Sequence, residues 1–242
     1  MKKLRPNEER ARGAIMVLWL LLAVEIVVLI SSGMFYSFLQ TVATGGVISE
    51  AEARANAIKG GVIGVIYFIV YLTYIITFIM WFRRAYFNLH QKSKNLQFSE
   101  GWAAGSWFVP ILGFYRPFQI MHELYTETKR LLVKNGVSEK DIYPKNYLAS
   151  WWTLYILTTF VGNFVLRVGF NADTIDSLIS ATVGDMIVSI FGVILALLTI
   201  KVIKDYSKVE PLLAQIRDEV SSVSSEEGKG LQAHSQLSKS TF

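Results

Sequence analysis

The chain has 242 residues, of which 52% are hydrophobic and 18% charged, with a formal net charge of +5. That composition is too apolar for an ordinary soluble domain and the chain is too long for a lone membrane anchor, so a multi-pass helical bundle is expected. It contains no cysteine, which removes a disulfide frame, a thiolate metal site and a cysteine nucleophile from consideration.

Residues 1–13 form a basic N-terminal segment, followed by an apolar run from Ala14 to Leu39. At 1.5 Å per residue that run is long enough to cross a hydrocarbon core of about 30 Å. It exceeds the roughly 7 to 15 residues of a signal-peptide core, and no small-x-small cleavage site follows, so a retained anchor is expected. Its one charge is Glu25. A charged carboxylate at that depth costs about 2.5 to 3.5 kcal/mol on insertion scales, and intramembrane ionisable groups are functional candidates by default.

The second span is expected over residues 58–82, on a helix that starts earlier, because Ser49 and Glu52 have capping-box spacing. Gly60 and Gly64 have the GxxxG spacing that lets helices approach closely. Tyr67, Tyr71 and Tyr74 form a stripe at a depth comparable to that of Glu25. Glu25 with the Tyr71 and Tyr74 face is thus a candidate proton or cation site, set against the plainer reading of a structural interhelical hydrogen bond.

Residues 101–115 are apolar, but they fall short of the roughly 20 residues a spanning helix needs, and Pro110 would interrupt the hydrogen-bond ladder. An interfacial or re-entrant element is expected instead, continuing as an amphipathic helix on the membrane whose apolar positions run from Phe118 to Leu132. This hairpin covers about residues 101–133. Arg116 is a candidate for headgroup or anion binding or for clamping the hairpin, and Glu123 is the nearby acid; His122 beside it lacks metal-ligand spacing.

The third span is expected at 148–170, opened by Trp151 and Trp152, and the fourth at 182–203. Arg167 and Asp185 near the far ends of these two spans could pair. Residues 206–242 form a tail that turns serine- and charge-rich, and is expected to be largely disordered from Ser221. Of the 24 Lys and Arg, 21 fall before the first span, between the second and third, or from Lys201 at the end of the fourth onward. That asymmetry places both termini and the middle segment in the cytoplasm.

Trp81-x-Arg83-Arg84, Asn88, Gly101-Trp102, Trp107 to Pro110, Arg116-Pro117 and Trp151-Trp152 together resemble the uncharacterised bacterial membrane family called Domain of Unknown Function 4328. The resemblance covers roughly Ile58 to Asp205 and is densest from Trp81 to Glu123. It implies a four-span protein of a bacterial inner membrane and brings no activity, cofactor or substrate.

The expected fold is therefore all-α, an integral membrane four-helix bundle with a Trp-Pro-Arg-rich interfacial hairpin on its cytoplasmic side. No P-loop, dinucleotide-binding glycine set, nucleophile elbow or metal-ligand pattern occurs, so no catalytic residue, cofactor or metal is assigned. The expected partners are the bilayer with its anionic headgroups and a membrane protein or further copy of the chain, with no nucleic acid. A non-enzymatic interaction or regulatory module is the first functional expectation. A small transporter or channel using Glu25, Tyr71 and Tyr74 is the second, and an enzyme acting on lipid headgroups the third.

Overall fold

The computed structural model describes residues 4–139, 142 and 147–216. They are helical, without strands, and four helices are long and apolar enough to cross a membrane. The helices are α1 (Glu8–Ala43), α2 (Glu50–His90), α3 (Trp102–Gly105), α4 (Arg116–Lys134), α5 (Tyr147–Phe170) and α6 (Ile175–Val209). Short 3-10 turns at Leu112–Phe114 and Glu210–Gln215 complete the set. The four apolar runs read from the sequence lie inside α1, α2, α5 and α6, each of which extends past its run. The expected disordered tail lies outside the described residues.

Local chemistry sets the helix ends. Ser49 and Glu52 cap α2 reciprocally: Ser49 N donates to Glu52 Oε2 at 3.0 Å and Glu52 N to Ser49 Oγ at 3.2 Å. Thr174 caps α6 in the same way, accepting from Ser177 N at 3.2 Å. At the end of α1, Gly45 has φ +82° and Gly46 N reaches Thr41 O at 2.9 Å, a left-handed glycine stop that a residue with a Cβ would strain.

The chain divides into two compact units. The first gathers the segment ending at Asn7, the residues from Phe82 to the middle of the chain, and those from Ser207. In it α4 buries Ile120, Met121, Leu124, Tyr125, Leu131 and Leu132 on one face. An amphipathic helix lying on the membrane was expected here. The apolar face is instead closed off by protein, including the 3-10 turns at Leu112–Phe114 and Glu210–Gln215. Of the expected helical hairpin, only this second limb is a full helix; α3 has four residues. The intervening tip exposes Phe108 (72%) and Ile111 (74%), and Ile111 sits at φ +67°, in a γ-turn of the strained positive-φ form.

The second unit holds the described residues of Glu8–Trp81 and Pro144–Tyr206. Along α1 the buried residues Ala11, Ala14, Leu18, Leu21 and Glu25 recur at alternating three and four residue steps, the spacing of a helix seam packed against neighbours. Glu25 therefore occupies a core position. Helices α5 and α6 approach closely, with Gly184 receiving Val165 and Gly169 facing Ala181. Gly60 and Gly64 behave otherwise: a Cβ on either would meet open space, so among the described residues no helix packs onto the GxxxG pair.

Candidate functional site

The α1 seam does not stay packed. Beyond Leu21 its residues Glu25, Val28, Ser32 and Phe35 line a cavity of about 900 Å³ within the second unit. Helix α2 contributes Gly60, Gly64 and the tyrosines at 67, 71 and 74; α5 contributes Tyr155 and Thr159, and α6 Asp185, Ser189 and Thr199. The open space beside Gly60 and Gly64 is this cavity. Small residues on α2 here make a void instead of a helix contact.

Glu25 is the polar centre of the cavity wall, 5% exposed. Tyr67 donates its hydroxyl to Glu25 Oε1 at 3.1 Å, and Ser189 lies beside the same carboxyl on α6. A carboxylate offers about four lone-pair sites, so this donor leaves acceptor capacity toward the cavity. On α6 the carboxyl rests against Gly192, where only a residue without Cβ leaves it room. Three helices thus fix one side chain. The sequence offered Tyr67, Tyr71 and Tyr74 as possible partners of Glu25 and put Tyr71 and Tyr74 in the candidate site; the bonded tyrosine is Tyr67, and the other two continue a ring ladder from it at 5.8 Å and 6.0 Å. Ser189 and Gly192 were not singled out. The seven-residue spacing along α1 was the signal for which side of Glu25 faces the bundle.

One end of the cavity has a floor. Trp151 Nε1 donates to Thr199 Oγ1 at 2.9 Å, and Tyr74 lines the cavity beside Thr199. Beneath them Phe78, Trp81, Trp151 and Tyr206 are buried and pack ring to ring at 5.6 to 6.2 Å. Arg167 and Asp185, expected to pair, form no ion pair among the described residues, and Asp185 lines the cavity instead.

The remaining predicted residues, Trp152 apart, lie in the first unit and are largely taken up by its own packing. Asn88, 2% exposed, brackets the Arg5 peptide, accepting from Arg5 N at 3.0 Å and donating to Arg5 O at 2.9 Å. It also donates to Glu210 Oε1 at 2.7 Å, and Asn7 donates to both Glu210 oxygens at 3.2 Å and 3.0 Å. Burial pushes the Glu210 carboxyl above the ordinary range, with the Asn88 and Asn7 bonds and nearby Arg84 opposing it. Arg83 faces Glu100 at 3.5 Å. The Arg116 guanidinium lies over the rings of Phe98, Tyr115 and Trp102 at 4.7, 5.6 and 5.9 Å, an aromatic clamp. Glu123 accepts from Tyr86 at 2.5 Å and from Gln97 N at 2.6 Å, and His122 is exposed. Pro117 is buried, whereas Gly101, Trp102 and Pro110 are exposed and Trp107 half-buried. Trp152 is buried beside Trp151, ring centroids 5.7 Å apart. No group of three or more His, Cys, Asp or Glu that would hold a metal occurs among the described residues.

The family model for DUF4328, a domain of unknown function, matches residues 44–208. The chain belongs to the DUF4328 family. No curated protein and no solved structure matches it. In this DUF4328 protein the match takes in α2 through α6 but begins after α1, so Glu25 lies outside it while Tyr67, Ser189, Gly192, Trp151 and Thr199 lie within.

Proposed function

We propose that this DUF4328 protein is a small-solute carrier of a bacterial inner membrane, with both termini cytoplasmic, that takes its solute into the bundle cavity on Glu25. The observation carrying this reading is the cavity itself. It has the size of sites that enclose drug-sized ligands, mostly apolar walls and a few convergent polar groups, which is the usual make-up of such a site. Its floor of stacked aromatic rings closes one end, as a compartment reached from one side requires. The basic residues beside that end, Arg10, Arg12, Lys201 and Lys204, give the floor to the cytoplasmic side by the positive-inside rule.

An interaction module draws on the same chain, and the exposed Phe108 and Ile111 tip favours it as a second reading. It draws on the aromatic, proline and arginine motif. Trp81, Asn88, Pro117 and Trp151 from that motif are buried in packing, and Arg116 is enclosed by rings, which leaves less of it for a partner. A headgroup enzyme would use Glu123, which Tyr86 and Gln97 N hold within the packing of the first unit.

The cysteine-free chain makes the test direct. Single cysteines replacing Ser32, Thr159 and Ser189 are expected to react with a membrane-impermeant methanethiosulfonate in proteoliposomes, and from the non-basic side alone. A cysteine at the outward-facing Ile30 serves as the lipid-facing control. If the cavity positions react no faster than Ile30→Cys, the cavity holds no water path and the carrier reading falls.

A further inference from the structure

We infer that the solute of this cavity is an organic cation with a bulky apolar body, its charge seated on Glu25 and its body against the tyrosine ladder. The inference rests on the proposed function and names the substrate class of that site. Three features of the cavity wall select this class over its rivals.

The first is charge. Glu25 and Asp185 both line the cavity, and Asp185 stands one turn from Ser189 on α6. Among the described residues Lys59 is the one basic residue in the wall, and it lies eight residues, about 12 Å along the helix, from Tyr67. An anion would have to enter past Asp185 to a carboxyl that, ionised, offers only acceptors. A cation gains the acceptor sites that Tyr67 leaves open.

The second is the aromatic face. Tyr67, Tyr71 and Tyr74 succeed one another down α2, and Tyr155 lines the cavity from α5. Ring faces attract cations, most strongly when water is excluded. The ladder begins at the residue that bonds Glu25, so the charged and aromatic parts of the site are contiguous.

The third is size. A bare metal ion asks for six or more oxygen ligands or a compact cage, and a cavity of about 900 Å³ around one fixed carboxyl offers neither. Leu18, Leu21, Val28 and Phe35 supply apolar wall on α1, suited to a hydrocarbon or aromatic body.

Two ions of the same shape and opposite charge separate the possibilities. The full chain in lipid nanodiscs is dialysed to equilibrium against tetraphenylphosphonium or tetraphenylborate, with empty nanodiscs subtracted. Wild type is expected to bind the phosphonium and to bind the borate at least tenfold more weakly. Glu25→Gln should weaken the phosphonium on the order of 30-fold, the loss that follows removal of one partner of a buried charge pair. Tyr71→Ala, which leaves Glu25 and its partners in place, should weaken it about tenfold through the lost ring. Equal binding of the two ions by wild type, absence of phosphonium binding, or full affinity in Glu25→Gln would each overturn the cation assignment. The wild-type comparison decides the matter even if both variants fail to insert. Labelling of Ser32→Cys and Ser189→Cys reports on the cavity separately, so a hydrated cavity without cation preference removes this inference and leaves the carrier reading standing.

Discussion

A methyl group on Gly192 would stand 2.5 Å from Glu25 Oε1. The contact is with the far end of a flexible side chain, so the fold can accommodate it by turning the carboxyl away. Gly192→Ala should therefore leave stability within about 1 kcal/mol, since alanine's better helix propensity offsets the adjustment. Its effect should fall on the site: phosphonium affinity drops on the order of tenfold, and the substitution adds nothing further in a Glu25→Gln background. A double-mutant cycle in nanodiscs measures this. Additive losses would mean that Gly192 does not hold the carboxyl in place.

Glu210 gives a pH dependence with a definite sign. Its folded-state carboxyl is raised above the ordinary value by burial, net of the bonds from Asn88 and Asn7 and the field of Arg84. A raised carboxyl favours the folded state fully below the unfolded value of about 4.3, and that contribution is lost as pH rises through the folded value. Thermal unfolding followed by tryptophan fluorescence should show stability falling from pH 5 toward neutral, and Glu210→Gln should flatten that slope. Asn88→Ala should cost about 1 to 3 kcal/mol at neutral pH, because a buried charge loses a donor, and less at pH 5. A slope identical in wild type and Glu210→Gln would contradict the assignment.

Sequence patterns reached the elements far better than the contacts between them. Apolar runs give spanning helices because each helix satisfies its own backbone, and the Ser49 and Glu52 cap is a three-residue matter. The cavity depends instead on which faces meet. Gly60 and Gly64 have the spacing of a packing motif, and only their placement reveals that they border a void. The Asn7, Asn88 and Glu210 cluster joins residues separated by 203 and 122 positions, a juxtaposition no local pattern encodes. Glu25 was legible because a lone carboxyl in an apolar run is costly. Its partner Tyr67 was one of three tyrosines, and choosing it required the register of α1 against α2.

Glu123 separates a structural from a catalytic role for the first unit. Both its oxygens accept short bonds, from Tyr86 and from Gln97 N, and the second bond pins the connection that carries Lys94. Tyr86→Phe and Glu123→Ala should each destabilise that connection by about 1 to 3 kcal/mol. Limited trypsin digestion should cut faster at Lys94 in both, with no added effect in the double variant. Unchanged digestion alongside lost activity on a lipid headgroup would reverse the assignment.

The orientation given to the bundle is open to the same labelling chemistry. Ile48→Cys, in the connection of α1 to α2, and Asp176→Cys, in the first turn of α6, should react with an impermeant maleimide on intact cells. Asn135→Cys should react only after permeabilisation. Labelling of Asn135→Cys from outside would place the middle segment on the opposite face and invert the side from which the cavity is reached.

The floor of the cavity is tested most sharply at Trp151. Its indole N–H donates to Thr199 and its ring packs against Phe78, so it supplies both a hydrogen bond and bulk to the closed end. Trp151→Phe retains most of the bulk and should cost about 0.5 to 1.5 kcal/mol through the lost bond. Trp151→Ala removes the ring and should cost about 3 to 5 kcal/mol. The two should also differ in access. A cysteine at Thr199 should be shielded from the basic side in the wild-type and Trp151→Phe backgrounds, and should react from that side in Trp151→Ala. If Thr199→Cys reacts equally in all three, the stacked rings do not close the cavity and the proposed one-sided access loses its basis.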